Sequence, residues 1–282
     1  MRLLIAGAGD VGTRLGLLLA EDGHEVWALR RAVSKIPASL WPVGADLADR
    51  EGLAQSLATL PDSFDRVFYT AAADKSSDEA YRRAYVDGLA NVISCVGEAT
   101  ERIIFISSTS VYGQDQGEWV TEGSPTEPTN FRGRRLLEAE ETLHAAPCST
   151  VAVRLAGIYG PGRERLLDSV RRGRAVIWDE PPRWTNRIHV EDCARILRHV
   201  AALDDPAETY LGVDYAPVLD AEVKTWLAER LGVPTPRSAS EADRGHHRGA
   251  NKRCSNRRLT DSGYSMVYPD YRSGYGPLVG ED

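Results

Sequence analysis

A glycine-rich turn that follows the first apolar run constrains the fold of this chain more than any other feature. The run Leu3–Ala6 has the length of a buried strand, and residues 7–12 after it read Gly-Ala-Gly-Asp-Val-Gly. Apolar residues then recur at helical spacing. A strand, a glycine turn and an amphipathic helix in this order form a dinucleotide-binding fingerprint. The alternative, a turn that merely needs flexible glycines, is the minority interpretation directly after a strand.

Each glycine has a physical role in such a fingerprint. Gly7 allows the tight turn, Gly9 lets the backbone approach a pyrophosphate, and Gly12 lets the helix pack closely on the strand. The helix that begins there directs N–H groups and the positive end of its dipole at the phosphates. The expected cofactor contacts in this turn are therefore Gly7, Gly9, Asp10, Val11 and Gly12.

Bulk properties exclude several classes of protein. A chain of 282 residues can form one large domain, or one domain with a lobe. Its net charge of −7 gives no general attraction to nucleic acid or to an anionic membrane. No apolar run is long enough to cross a bilayer, and the N-terminus lacks a signal-peptide pattern. The cysteines are far apart without metal-ligand spacing, so we expect no metal site and a cytoplasmic protein with reduced thiols.

The order of the predicted elements indicates an α/β fold. Predicted strands cover residues 2–7, 24–29, 65–70, 102–107 and 149–154. Predicted helices cover 10–22, 50–59, 78–99 and 132–145. This alternation is typical of a Rossmann-type, doubly wound parallel sheet, which binds ligands at the carboxyl ends of its strands.

The pattern loosens after about residue 155. We therefore predict a dinucleotide-binding domain over 1–155, and a segment over 156–282 that completes the sheet and forms a small substrate lobe. Further predicted elements are a helix over 190–203, a strand over 208–213 and a helix over 219–231. Residues 235–258 are polar and basic and are expected to form a loop, in which His246 and His247 have no metal-binding partner at the right spacing.

The end of the second strand indicates which nicotinamide cofactor is bound. NAD-selective sites usually place an acid there, but this chain has Arg30 and Arg31, which suit a 2′-phosphate. NADP(H) is therefore favoured, NAD(H) stays an alternative, and two solvated arginines are the simplest other reading. Weaker candidates for cofactor contact lie at two further places. Asp46 and Leu47 follow a presumed additional strand between the strands 24–29 and 65–70, and Ala71 and Ala72 follow the strand 65–70. Plain packing would explain these four residues equally well.

Four segments together resemble one known family. They are GAGDVG at 7–12, SSTSVYG at 107–113, RLAGIYGPGR at 154–163 and NRIHVEDCA at 186–194. Their order and residues are similar to the extended short-chain dehydrogenase/reductase family of NAD(P)-dependent epimerases, dehydratases and reductases. The glycine pattern and the ending NKRCSNRRLTDSGY at 251–264 resemble its atypical, YeeZ-like branch.

The resemblance implies a catalytic Ser or Thr, a Tyr and a Lys. The matching hydroxyl is Ser108, which would hold the substrate oxygen. The Tyr-x-x-x-Lys pair falls on Phe131 and Arg135, so the spacing is kept and the residue types are changed. Phe131 has no ionisable proton, and the Arg135 fork is not equivalent to an ammonium group at the nicotinamide ribose. Ordinary catalysis is therefore in doubt, whereas cofactor binding is not.

Other side chains are candidates for the missing proton donor or for substrate contact. Tyr112 and Tyr159 rank slightly ahead of Glu118 and Glu122, which flank an indole. Tyr85 stands where the family often has Asn, and is either a displaced acid or a packing group. Three arginines, Arg163, Arg183 and Arg187, indicate a substrate with a phosphate or carboxylate, although a solvated side chain explains each of them at least as well. The resemblance implies that His189 is structural.

Two hypotheses of different classes follow. The leading one is a cytoplasmic NADP(H)-dependent oxidoreductase or epimerase that acts on a small, hydroxyl- or carbonyl-bearing substrate and has no nucleic-acid or membrane partner. The second is a sensor or scaffold that binds NADP(H) without turnover, since Phe131 and Arg135 replace the usual catalytic pair. The resemblance also implies a common dimer face on helices 78–99 and 132–145, which leaves a homodimer open.

Overall fold

A seven-stranded parallel sheet forms the centre of the computed structural model, which describes residues 1–178, 180–240, 243 and 251–280. The strands of the described chain are β1 (Arg2–Ala6), β2 (Glu25–Leu29), β3 (Trp41–Val43), β4 (Phe64–Tyr69), β5 (Thr100–Ser108), β6 (Glu118–Val120), β7 (Ser149–Leu155), β8 (Gly157–Tyr159), β9 (Trp184–Thr185), β10 (Arg187–His189), β11 (Thr209–Gly212), β12 (Val218–Leu219) and β13 (Lys252–Cys254). The central sheet has the order β11-β7-β5-β4-β1-β2-β3. The predicted doubly wound fold is confirmed.

Helices connect these strands. The α-helices of the described residues are α1 (Asp10–Glu21), α2 (Arg50–Leu57), α3 (Asp78–Tyr81), α4 (Gly88–Val96), α5 (Phe131–His144), α6 (Arg165–Arg171), α7 (Val190–Ala202), α8 (Asp220–Leu231), α9 (Arg257–Asp261) and α10 (Tyr271–Tyr275). A π-helical turn, Arg82–Asp87, joins α3 to α4, and short 3-10 turns occur at Val33–Lys35, Gly97–Ala99, Thr109–Val111 and Gly276–Leu278. No described helix is both long and apolar enough to cross a lipid bilayer.

The first strands are apolar because neighbours cover them on both faces. Leu4 and Ile5 of β1 are fully buried, as are Val67 and Phe68 of β4. In register, Leu4 of β1 lies between Trp27 of β2 and Val67 of β4. Continuous burial of this kind is expected for the middle of a parallel sheet. It also aligns the carboxyl ends of β1 and β4, where the glycine turn begins.

Contacts divide the chain into two compact units that interleave along the sequence. Unit 1 contains Met1–Val111, Pro128–Arg154 and Cys193–Tyr210. Unit 2 contains Tyr112–Glu127, Leu155–Asp192 and Leu211–Asp282. The division of function at residue 155 stays a prediction.

Unit 1 contains a buried ion pair next to the sheet. Glu140 of α5 accepts hydrogen bonds from the Nε and terminal nitrogens of Arg154 on β7, at 2.6–3.2 Å, and from the hydroxyl of Ser107 on β5. Both charged side chains are almost fully buried. Because a buried charge is tolerated only when it is paired and hydrogen-bonded, this network fixes α5 against the sheet.

Unit 2 has its own core and one correction to the sequence analysis. Tyr159, Leu167 and Tyr275 belong to an apolar cluster that includes α6, α8 and α10. The prediction of a loop over 235–258 is wrong at its end, because Lys252–Cys254 forms β13 and pairs in parallel with β6. The basic composition hid this strand, whose Lys252 and Cys254 side chains are buried. The histidines at 246 and 247 lie outside the described residues.

Asp214, just beyond β11 in unit 2, carries a buried carboxyl group. Its side chain is 2 % exposed, and its Oδ1 accepts a hydrogen bond from the Ala216 N–H at 3.1 Å. Its Oδ2 has no hydrogen-bond partner in the described part of the chain. Burial raises the pKa of Asp214 to about 7, against a smaller lowering by the Ala216 N–H and the Arg187 charge.

We expect Asp214 to make the free energy of unfolding depend on pH. The folded protein holds this proton up to about pH 7, whereas an unfolded aspartate loses it near its ordinary pKa of 3.8. The contribution of Asp214 to stability therefore falls as the pH rises from about 4 to about 7, by about 1.4 kcal/mol for each unit. Urea unfolding of the wild type and Asp214→Asn over this range measures it. The exposed Asp261→Asn variant is the control, and parallel curves for wild type and Asp214→Asn would contradict the expectation.

Candidate active site

The glycine turn is built by two close approaches of backbone to its neighbours. Gly7 has a φ of 101°, and a Cβ placed there would lie 2.5 Å from the Ala71 nitrogen after β4. A Cβ on Gly12 would lie 2.8 Å from the Gly7 carbonyl and would also collide with Thr70. The Thr70 hydroxyl donates to that same carbonyl at 2.8 Å. Side chains are therefore excluded at Gly7 and Gly12 by the protein itself, while Ala72 next to this contact is exposed.

Gly9 differs from the other two glycines. Its φ of −78° suits any residue, and a Cβ there would meet only the Gly7 carbonyl, at 3.9 Å. Gly9 is the N-cap of α1 and offers no side-chain cap, so helix geometry leaves the amides of Val11 and Gly12 without a carbonyl in the helix. Open space therefore lies beside amides that suit an anion, and these residues fit the pyrophosphate of a dinucleotide.

The two arginines after β2 have different neighbours. Arg30 donates to the Ala8 carbonyl inside the turn at 3.1 Å. Arg31 donates to Asp74 Oδ1 at 2.9 Å, and their side chains are 61 % and 65 % exposed. The Arg31 hydrogen bond lowers the pKa of Asp74, so the pair stays ionised. Exposed pairs of this kind contribute about 0–1 kcal/mol, so Arg31 can exchange Asp74 for another anion at little cost.

The remaining candidates for cofactor contact are held by helix residues of unit 1. Asp46, after β3, accepts a hydrogen bond from the Arg83 guanidinium at 2.9 Å. The Leu47 carbonyl accepts from Asn91 Nδ2 of α4 at 3.0 Å. The loop after β3 is thus fixed to the helical segment that follows β4.

A π-helical turn carries Tyr85 and interrupts the helix that the sequence predicts over 78–99. The buried Tyr69 hydroxyl donates to the Ala84 carbonyl, and the Gly88 N–H bonds to the Arg83 carbonyl, five residues back. The side chain of Tyr69 therefore occupies the Ala84 carbonyl, which would accept from the Gly88 N–H in a regular α-helix. Such turns often mark functional sites.

Ser108 and Phe131 come from adjacent elements. Ser108 ends β5, and its half-buried Oγ accepts a hydrogen bond from the Ser110 N–H at 3.2 Å, so the hydroxyl proton remains able to donate. Asn130 caps α5 by accepting from the amides that follow Phe131. Gly133, one turn into α5, packs against the Ser110 carbonyl and holds the start of α5 beside the end of β5.

Arg135, in the place of the family's lysine, is already bound by two carboxylates. Its Nε and one terminal nitrogen donate to both oxygens of Asp78 at 2.8 Å, and the other terminal nitrogen donates to Glu138 at 2.7 Å. The hydrogen bond with Asp78 raises the pKa of Arg135 most, and the hydrogen bond with Glu138 raises it further. A ribose hydroxyl would therefore have to compete with Asp78 for this guanidinium.

The other candidate residues belong to unit 2. Tyr112 is 1 % exposed, and its carbonyl accepts from the buried Lys252 ammonium at 2.9 Å. Tyr159 is buried and donates its hydroxyl to the Asp270 carbonyl at 3.1 Å, and burial raises its pKa further above the ordinary value. Arg187 is buried and donates to the Thr185 hydroxyl at 2.8 Å.

Two further candidates of unit 2 lie near the ends of short strands. The backbone N–H of Arg163 bonds to the Gly160 carbonyl at 2.8 Å. His189, expected to be structural, is 2 % exposed and stacks on Tyr268 at a centroid distance of 3.6 Å. Of the residues proposed from sequence, the glycine turn, the arginine pair, Ser108, Phe131 and Arg135 lie in unit 1, whereas Tyr112, Tyr159, Arg163 and Arg187 lie in unit 2.

Sequence reasoning missed the acids that hold the arginines. Asp74 and Asp78 lie in a polar stretch that gives no motif, and their partners, Arg31 and Arg135, are 43 and 57 positions away. Only the topology of β2, β4 and α5 brings these charges together. In the described residues, no cluster of three or more His, Cys, Asp or Glu side chains could hold a metal ion.

Comparison with known proteins gives a consistent assignment. Residues 3–211 match the NAD dependent epimerase/dehydratase family. The chain is 28% identical to Protein YeeZ of Escherichia coli (strain K12), covering 95% of this chain and 97% of that protein. It is 26% identical to the 3-diazoavenalumate denitrifying reductase of a Streptomyces species, covering 98% and 99%.

A solved structure agrees in both sequence and fold. It is that of a protein from Methylobacillus flagellatus described as an NAD-dependent epimerase/dehydratase, with 35% identity, a TM-score of 0.82, and coverage of 99% of this chain and 97% of the other. Together with the glycine turn, these matches extend over both units. The chain belongs to the NAD-dependent epimerase/dehydratase family and is an NAD(P)-dependent oxidoreductase or epimerase of the extended short-chain dehydrogenase/reductase type.

Proposed function

We propose that this protein is an NADP(H)-dependent oxidoreductase or epimerase that acts on a hydroxyl or carbonyl group of a small, anionic substrate. The observation that carries the proposal is Gly9, where neither backbone conformation nor packing within the protein requires a glycine. A bound pyrophosphate would explain why position 9 is a glycine, because the pyrophosphate needs the space beside Gly9 and the neighbouring amides. The similarity to a Streptomyces denitrifying reductase supports redox chemistry.

The candidate cofactor and catalytic residues of unit 1 then have proposed roles. The turn residues Gly7, Gly9, Asp10, Val11 and Gly12 hold the pyrophosphate, and a nicotinamide held there supplies hydride transfer at carbon. The Ser108 hydroxyl donates a hydrogen bond to the substrate oxygen and thereby orients it. Arg30, Arg31, Asp46 and Leu47 are proposed to contact the adenosine half of the cofactor. Ala71 and Ala72, which follow β4, are proposed to let the backbone approach the cofactor.

The proposed substrate contacts are Tyr85, Tyr159, Arg163 and Arg187, and residues 156–282 are assigned to the substrate lobe. The arginines favour a phosphate or carboxylate on that substrate. All four cysteines are free thiols, which supports the assignment to the reducing cytoplasm.

A specific observation favours one second function. Phe131 cannot exchange a proton, and Arg135 is held by Asp78 and Glu138. A protein that binds NADP(H) tightly and reports it to a partner would need no proton donor at position 131. The two functions differ in one measurement: hydride transfer from deuterated NADPH occurs in the enzyme and is absent in the sensor.

We expect Gly9→Ala to separate cofactor binding from stability. The added methyl group meets no protein atom closer than 3.9 Å, so the free energy of unfolding should fall by less than about 1 kcal/mol. Because the methyl group occupies the space of the pyrophosphate, the Kd for NADP⁺ should rise at least about tenfold, which is about 1.4 kcal/mol. Calorimetry and urea unfolding measure the two effects.

Gly12→Ala is the matched control for that variant. Its methyl group collides with Thr70 and with the Gly7 carbonyl, so it should cost about 1–3 kcal/mol of stability through overpacking. Unchanged NADP⁺ affinity in Gly9→Ala would show that the pyrophosphate lies elsewhere.

We expect Arg31 and Asp74 to have opposite effects on cofactor choice. Arg31→Ala removes a charge-assisted hydrogen bond to the 2′-phosphate and should weaken NADPH binding by about tenfold or more, with little change for NADH. Asp74→Asn removes the competing carboxylate and should strengthen NADPH binding by up to about fivefold. Titration of both nucleotides measures the ratio of the two affinities, and Arg257→Ala, in a still more exposed ion pair of unit 2, is the control. Equal losses for NADPH and NADH in Arg31→Ala would exclude this recognition.

A further inference from the structure

The proposed reaction needs a proton donor that Phe131 cannot supply. General acid catalysis typically contributes about 10²–10⁴-fold to the rate, so an active enzyme of this type would gain from another hydroxyl nearby. A tyrosine of unit 1 is the best candidate for this hydroxyl, because Ser108, Phe131 and the glycine turn all belong to this unit.

Most tyrosines close to the candidate residues in sequence are occupied or buried. Tyr69 is fully buried and donates to the Ala84 carbonyl. Tyr112 is 1 % exposed. Tyr159 is buried and donates to the Asp270 carbonyl. Each would have to leave a packed or hydrogen-bonded position before its hydroxyl could meet a substrate.

Tyr81, the last residue of α3, is only half-buried and contacts Phe131 directly. The two rings meet edge to face, with centroids 5.4 Å apart and an interplanar angle of 87°. Tyr85, one turn further along the helix, packs on Tyr81 at 5.1 Å and on Phe105 at 6.4 Å. The phenol nearest to the vacated catalytic position is therefore Tyr81.

Two arginines of α5 lie close to this ring pair. Arg132 places its guanidinium carbon 5.0 Å from the centroid of the Phe131 ring. Arg135 lies one helical turn beyond Phe131 and is bound by Asp78, one turn before Tyr81. This two-point ion pair joins α3 to α5 and so fixes the Tyr81 ring against Phe131.

We propose that the Tyr81 hydroxyl exchanges the proton with the substrate oxygen in place of residue 131, an inference that rests on the proposed function. In the reducing direction, a C–H bond of the reduced nicotinamide breaks and its electron pair forms a C–H bond at the carbonyl carbon. The Tyr81 O–H bond breaks and its proton joins the carbonyl oxygen, which gives the alcohol. Water then returns a proton to the Tyr81 phenolate, and the oxidised nicotinamide leaves.

Two measurements on the full chain test this role. The first follows the ¹³Cζ resonances of labelled tyrosines while NADP⁺ is added, with Tyr81→Phe used to assign the Tyr81 signal. We expect the Tyr81 resonance to move on binding, and the resonance of the exposed Tyr215 in unit 2 to stay in place. The second measures NADPH oxidation with 4-nitrobenzaldehyde as the probe carbonyl.

In the second measurement, Tyr81→Phe should lower kcat by about 10²–10⁴-fold while the Kd for NADPH stays unchanged. Tyr215→Phe is the matched control and should keep wild-type kcat. Tyr81→Phe combined with Phe131→Tyr should recover much of the loss, because it returns a phenol to the adjacent ring position. That recovery distinguishes lost chemistry from lost structure.

The outcomes separate this inference from the proposed function. If no nicotinamide nucleotide binds, both are wrong. If NADP⁺ binds without moving the Tyr81 resonance, or if Tyr81→Phe turns over at the wild-type rate, the role of Tyr81 is wrong and the cofactor assignment stands.

Discussion

The close packing of Gly7 against Ala71 positions every other part of the candidate cofactor site. It brings the carboxyl ends of β1 and β4 together with no room for a side chain, and the Thr70 hydroxyl secures the Gly7 carbonyl. The start of α1 then has to follow in one direction, because Gly12 packs onto the same carbonyl. Amides that open a helix are thereby presented at the edge of the sheet where doubly wound folds bind ligands.

Acid–arginine pairs add the charges around this edge. Asp74, Asp46 and Asp78 lie after β3 and β4 and hold Arg31, Arg83 and Arg135 respectively. The pairs of Arg31 and Arg83 are exposed, so these two arginines can change partners at low cost, whereas Arg135 is held by two carboxylates. The same arrangement therefore both orients the guanidinium groups and makes them responsive to an anionic ligand. Cofactor selectivity, in this view, depends on the acids as much as on the arginines.

Local patterns made the frame of unit 1 predictable. The apolar runs and the glycine turn are encoded within a few residues, so β1, β2, β4, β5, β7, α1 and the position of Ser108 after β5 follow from the sequence. The partners of Arg31 and Arg135 do not, since they depend on which strands are adjacent. The π-helical turn arises because Tyr69 takes a helix carbonyl, and β13 arises because basic residues are buried against β6. Both depend on tertiary contacts that override composition and periodicity.

We infer that the amino-terminal turn binds a nicotinamide dinucleotide through its phosphates. Isothermal titration of the purified protein with NADP⁺, NADPH, NAD⁺ and NADH measures this binding. We expect saturable binding with one nucleotide per chain and tighter binding of the 2′-phosphorylated forms. No heat of binding with any of the four, from a folded protein, would contradict it.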